Sequence, residues 1–243
     1  MTNSLQATIS SLAPATSHPP LLKDSRVELA GGEITCLIGP SGAGKTVLLR
    51  LLAGDKTIQA DAHIRYRSNG EALNVRDAAT RGWLGLFLPD TGLPPWQKVA
   101  DILSLPARFN PRLQKPDGQR VTATLQLLQL PSSTLKKIPR ELSLGMRHRV
   151  LLALAVLYEP RFLFVDELLS SIDSPTVDGI VPLLKQLVTE REMVCLLTTH
   201  DLDRAMRLGT TFYFKGLDTS ISRLSDPTKA DMLALFEAQS KSR

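Results

Sequence analysis

The sequence predicts an α/β fold with a mainly parallel sheet and a mainly helical insertion. Three observations carry that prediction. The glycine-rich octet Gly39-Pro-Ser-Gly-Ala-Gly-Lys45-Thr46 stands between the apolar run Ile34 to Ile38 and a helix-forming stretch. Two more apolar runs, Arg161 to Val165 and Met193 to Leu197, return later, and each leads into polar residues. A short continuous apolar run with such a boundary is the pattern of a strand buried on both faces, as in a parallel sheet.

The remaining elements follow in chain order. Residues 1–20 are rich in Ser, Thr, Ala and Pro and are expected to be partly loose. Val27 to Ala30 and Glu33 to Ile38 are expected as two strands joined by Gly31-Gly32. Lys45 to Ala53 should form a helix that stops at Gly54. Residues 57–88 mix short apolar and polar stretches and are expected to add a small sheet. Gly92 and two prolines break regular structure between Asp90 and Pro95. Residues 98–158 are expected to be mainly helical, interrupted by Pro106, Pro111, Pro116, Pro131 and Pro139. A helix should follow near Pro175 to Glu190, and no internal repeat is visible.

The 243 residues, 43% hydrophobic and 22% charged, are enough for a substantial core. A formal charge of +5 suits a polyanionic ligand or surface, although excess Lys and Arg are more often simply solvated. The two cysteines, Cys36 and Cys195, sit in apolar runs as small buried hydrophobes, which fits a reducing, cytosolic setting. No segment reaches the roughly 18 to 20 apolar residues needed to cross a bilayer. The first residues lack the basic start and apolar core of a signal peptide. Work at a membrane would therefore need another chain to supply the span.

The octet at 39–46 fits the phosphate-loop pattern and has a strand before it and a helix after it, as that pattern requires. Gly39, Gly42 and Gly44, with Pro40, Ser41 and Ala43 between them, leave room for backbone N–H groups to converge on phosphate oxygens. The new helix turns its positive end to the same phosphates. Lys45 can reach the β- and γ-phosphates of ATP, and the Thr46 hydroxyl can ligate Mg²⁺.

Asp166 and Glu167 end the second apolar run. Ligands of open α/β sheets bind at the carboxyl ends of strands. Asp166 is placed to hold Mg²⁺ indirectly, through water, facing Thr46, and Glu167 to orient an attacking water. Two solvated acids at a strand end are the alternative, and pairing with the phosphate loop favours the site. His200 closes the third run and is a candidate partner of the γ-phosphate.

On these residues the chain resembles the ATP-binding subunits of ABC transporters over nearly its whole length. GPSGAGKT at 39–46 matches the Walker A motif, and FLFVDE at 162–167 matches Walker B with its catalytic glutamate. Ser170 to Asp173 resembles the D-loop, His200 the switch histidine, and Leu142-Ser-Leu-Gly-Met146 the LSGGQ signature. Ser143 lies 23 positions before Asp166 and Asp173 seven after it, both as in the family. Leu93 to Trp96 and Val99 resemble a stretch of bacterial importer subunits.

The resemblance implies a P-loop NTPase fold, with a RecA-like core sheet, an ABC β-subdomain and a helical subdomain. It makes residues 1–243 a single ATP-binding domain, with 1–92 and 155–243 as core and 93–154 as helical subdomain. It implies ATP and Mg²⁺ as cofactors, and a homodimer or heterodimer in which Ser143 and Gly145 of one subunit face the ATP of the other. It further implies a membrane-spanning partner subunit, no nucleic-acid partner, and a peripheral position on the cytoplasmic face of the inner membrane. Hydrolysis would energise a transporter, most similar to an importer.

Four departures from the family stand out. Leu144 and Met146 replace Gly and Gln in the signature. Pro89 stands where the Q-loop glutamine belongs, and Gln97 lies eight residues too late to replace it. No aromatic is found at Thr16 to Pro19, where the adenine would stack; only His18 is near. Leu168 and Leu169 follow Walker B in place of Pro and Thr. The expectation is an ATPase that turns over slowly, or one whose partner supplies a normal signature. The other readings are a nucleotide-binding regulatory subunit with little turnover, and an ATPase acting on DNA or ribosomes. The chain has no room for the coiled-coil insertion of the DNA-repair members.

Overall fold

A computed structural model describes residues 3–13, 19–89, 92–167 and 174–240. Its strands fall into two sheets. The smaller holds β1 (Asn3–Ala13), β2 (Leu22–Ala30), β4 (Gln59–Ser68) and β5 (Glu71–Leu73) in the order β2-β1-β4-β5, all antiparallel. The larger holds β3 (Ile34–Ile38), β6 (Leu84–Phe87), β7 (Phe162–Asp166), β8 (Val194–Thr199), β9 (Thr211–Lys215) and β10 (Ile221–Leu224). Its order is β10-β9-β3-β8-β7-β6, parallel throughout except for β10 at the edge.

The three apolar runs become β3, β7 and β8, side by side and fully buried. Alternation along each strand splits its residues between two cores. Ile34, Cys36, Ile38, Leu163, Val165, Cys195 and Leu197 face one core. Leu37, Phe162, Phe164 and Leu196 face the other, where Leu48 and Leu52 of α1 (Lys45–Leu52) pack with Leu5, Ile9 and Tyr66 of the small sheet. Tyr66 meets Phe162 edge to face at 4.9 Å and donates its hydroxyl to the Leu52 carbonyl. That contact ties the small sheet to the helix behind the glycine loop. Burial raises both thiols, and Cys195 is pushed up to about 12.

Two of three expectations for the first part of the chain need correction. The first residues are not loose as a stretch: Asn3–Ala13 forms β1, because Leu5, Ala7, Ile9 and Leu12 alternate with polar residues and are buried. The two strands joined through Gly31-Gly32 form as expected, and they divide between sheets: β2 belongs to the small sheet and β3 to the large one. Residues 57–88 do not all enter the small sheet, since β6 pairs with β7 as the edge of the large one.

The insertion is helical as expected. It contains α3 (Val99–Phe109), α4 (Gly118–Leu127), short 3-10 turns at Ser132–Lys136 and Pro139–Glu141, and α5 (Leu144–Val156). Before it lies α2 (Val75–Thr80); after it come α6 (Ser174–Glu190), α7 (Leu202–Leu208) and α8 (Lys229–Ser240). Among the described residues no helix is long and apolar enough to cross a membrane.

Candidate active site

The carboxyl ends of β3, β7 and β8 share one edge of the large sheet, and each delivers part of one cleft. The cleft has a volume of about 660 Å³. Ser41, Gly42, Gly44, Lys45 and Thr46 line it from the loop after β3, Asp166 and Glu167 from the end of β7, and His200 from the end of β8.

Loop geometry follows from its glycines. A Cβ on Gly39 would lie 2.0 Å from the Lys215 carbonyl oxygen, so only glycine lets the loop leave β3 so close to β9. Gly44 caps α1 in the left-handed region at φ +87. Pro40 and Ala43 are joined by a backbone hydrogen bond of 3.3 Å, which closes the turn. Lys45 is buried and its ammonium donates to the Gly39 and Pro40 carbonyls at 2.8 and 2.9 Å. Burial lowers its pKa, and the nearby Glu167 and Asp166 carboxylates work against that shift.

The Thr46 hydroxyl lies 3.0 and 2.9 Å from the two carboxylate oxygens of Asp166. Asp166 is itself buried and also accepts from the Thr198 hydroxyl of β8. A buried carboxylate beside a hydroxyl is a donor set of hard oxygens, which fits Mg²⁺. Glu167 adopts φ +47, a left-handed conformation that costs a non-glycine residue about 1 to 2 kcal/mol. Its amide donates to the Thr198 carbonyl at 3.2 Å, which fixes the turn. Its Oε1 lies 2.9 Å from Nδ1 of His200. A proton on Nδ1 completes that bond and leaves Nε2 as the other polar atom of the ring.

Other predicted residues lie apart from the cleft. Ser143 caps α5, accepting from the Met146 amide at 3.3 Å, and Gly145 sits in the first turn of that helix. Neither lines the cleft. Asp173 and the rest of the D-loop, Leu168 and Leu169, and Thr16 to His18 lie outside the described residues. Pro89 does line the cleft. It also lines a groove of about 220 Å³ with Leu144, so two of the four departures share one groove.

Leu21 was not found by sequence reasoning. Its amide donates to the Leu12 carbonyl at 2.6 Å, and a Cβ on Gly44 would meet its Cδ1 at 2.8 Å. With Val47 and Pro89 it forms the apolar part of the cleft wall. Its only sequence signal is an apolar pair, Leu21-Leu22, after two prolines.

This fold and cleft define a phosphate-loop nucleotide-binding α/β protein. The profile of the ABC transporter family matches residues 22–170, more than half of the chain. A nickel import ATP-binding protein of Escherichia coli is 34% identical over 192 residues, 76% of this chain and 70% of that one. A sulfate/thiosulfate import ATP-binding protein of Chromobacterium violaceum is 31% identical over 77% of this chain and 52% of its own length. An aliphatic sulfonates import ATP-binding protein of Burkholderia cenocepacia is 31% identical over 78% of this chain and 66% of its own length. The match thus spans from about half to two thirds of the last two relatives. The chain belongs to the ABC transporter family.

Solved structures agree on the fold. A bacterial ABC transporter cassette, solved as a dimer, superposes with a TM-score of 0.75 at 21% identity, covering 92% of this chain and 100% of that one. An ATP-binding subunit of an ABC transporter gives 0.76 at 19% identity, covering 98% of this chain and 97% of that one.

Proposed function

We propose that this chain binds and hydrolyses ATP as the energising subunit of an ABC transporter, an importer in type. The observation that carries the reading is the meeting of Lys45, Thr46, Asp166, Glu167 and His200, from three separate strand ends, in one cleft. The names of the relatives, all import ATP-binding proteins, support the importer type.

In this reading the triphosphate lies along residues 39–46. Lys45 exchanges the Gly39 and Pro40 carbonyls for β- and γ-phosphate oxygens. Thr46 and Asp166 would hold Mg²⁺, which when bound neutralises phosphate charge. Glu167 orients a water and accepts its proton as the water oxygen attacks the γ-phosphorus. The bond from that phosphorus to the bridging oxygen breaks, giving ADP and phosphate. His200 keeps Glu167 in position. Residues 93–154 act as the helical subdomain, and the rest forms the core. Ser143 and Gly145 serve the ATP of a second subunit, in a homodimer or a heterodimer. Asp173 belongs to the same interface. The pair sits on the cytoplasmic face of the inner membrane against a membrane-spanning subunit, with no nucleic acid involved.

A regulatory subunit with little turnover is the second reading, favoured by Pro89 in the cleft and by Leu144 beside it. Calorimetry separates the nucleotide site from a chance glycine turn. ATP is expected to bind the wild type more tightly with Mg²⁺ than with EDTA. Thr46→Val should erase most of that difference while leaving metal-free binding in place. A wild type that binds no ATP under either condition would overturn the reading.

A further inference from the structure

Strand β8 is apolar until its last two residues, Thr198 and Thr199. Val194 and Leu196 pack in the core shared with α1, while Cys195 and Leu197 face the other core. Alternation puts Thr198 on the face of Val194 and Leu196, where it is fully buried. The parallel register sets it beside Asp166, which continues the face of Phe162 and Phe164 on β7. Both residues therefore lie in the layer of α1, whose first turn carries Thr46.

A hydroxyl buried without a partner is costly, and Thr198 is bonded twice. It donates to Oδ1 of Asp166, and its oxygen stands 3.3 Å from the Glu167 amide. An ionised carboxylate only accepts, and a hydroxyl has one proton to give. Thr198 commits that proton to Asp166. The Thr46 hydroxyl also lies 3.0 and 2.9 Å from the Asp166 oxygens, but Thr46 lines the cleft and its oxygen is the one offered to a metal. Thr198 does not line the cleft, so it reaches the site only through Asp166 and Glu167.

We propose that Thr198 is a positioning residue for the metal site: its hydroxyl holds the Asp166 carboxylate in the orientation that serves Mg²⁺ when nucleotide is bound. Groups that orient a metal-binding side chain from behind carry roughly 10- to 100-fold in metal affinity. The bond to the Glu167 amide adds little here, because that amide also reaches the Thr198 carbonyl at 3.2 Å. Thr198 thus acts on the metal through Asp166 and leaves the phosphate loop alone. The proposal rests on Thr46 and Asp166 as the Mg²⁺ residues, and its test separates the two.

The test is calorimetric ATP binding by the full chain, in Mg²⁺ and in EDTA, for the wild type, Thr198→Val and Thr198→Ser. Valine keeps the shape and removes the hydroxyl, whereas serine keeps the hydroxyl and removes the methyl. The gain in affinity from Mg²⁺ should shrink roughly tenfold in Thr198→Val and survive in Thr198→Ser. Affinity in EDTA should be the same in all three, a split that a general loss of packing would not produce. Thr198→Ala against Thr198→Ser makes the same comparison at smaller volume, and decides it if the valine variant does not fold. A wild-type gain from Mg²⁺ in folded Thr198→Val would overturn this proposal and leave Thr46 and Asp166 in place. An equal loss of affinity in EDTA and in Mg²⁺ would also overturn it. A wild type that binds ATP with no gain from Mg²⁺ would remove the metal reading itself, and the role of Thr198 with it.

Discussion

Glu167→Gln is expected to lower ATP hydrolysis roughly 10²–10⁴-fold, the usual contribution of a positioned general base. The amide keeps the size and planar shape of the carboxylate, and its oxygen can still accept from His200 Nδ1. The turn that carries it is held by its own backbone, through the amide of residue 167 and the Thr198 carbonyl at 3.2 Å. The substitution therefore removes proton acceptance and little else. ATP affinity should change little, and phosphate-release assays beside equilibrium binding on one preparation check both halves. A variant that hydrolyses ATP as fast as the wild type would remove Glu167 from the chemistry.

Lys45→Ala should weaken ATP binding by roughly 10- to 150-fold, the range expected for losing one charge-assisted hydrogen bond in a buried setting. Lys45 is the loop's own cation, buried and already bonded to the Gly39 and Pro40 carbonyls at 2.8 and 2.9 Å. Its loss also leaves those carbonyls without that donor, so the nucleotide-free thermal midpoint must be measured beside the affinity. A fall in affinity with an unmoved midpoint assigns the effect to phosphate binding.

Legibility in the sequence followed how each element is stabilised. Strands β3, β7 and β8 are buried on both faces, so they appear as unbroken apolar runs, and the polar residues that end them are the cleft residues Asp166, Glu167 and His200. The glycine loop was equally legible, because the Lys215 carbonyl excludes any side chain at Gly39. Strand β1 was hidden by its composition. Its outward positions, Gln6, Thr8 and Ser10, are the residues of loops, and only the buried alternates betray the strand. The division of β2 from β3 at Gly31-Gly32 was invisible because sheet membership depends on distant partners, β1 on one side and β8 and β9 on the other. Leu21 escaped for a related reason: an apolar residue carries no chemical signature, and its place at the cleft is set by its bond to Leu12 and its contact with Gly44.

Two of the departures from the family gain meaning from their placement. Pro89 touches both the cleft and the groove that Leu144 lines, so the site is altered on the side toward α5 and intact on the side of the phosphate loop. Leu144 is 56% exposed at the first turn of α5, where a facing subunit would approach. In the proposed dimer a leucine in place of a backbone-close glycine would hold the two surfaces apart, and a displacement of about 1 Å can cost about 100-fold in rate.

The most direct test is to measure ATP affinity and turnover together, on one preparation each of the wild type and Leu144→Gly. The expected result is equal affinity with turnover raised roughly tenfold or more in Leu144→Gly. Equal turnover in the two proteins would contradict an intact ATP site slowed at its partner-facing side.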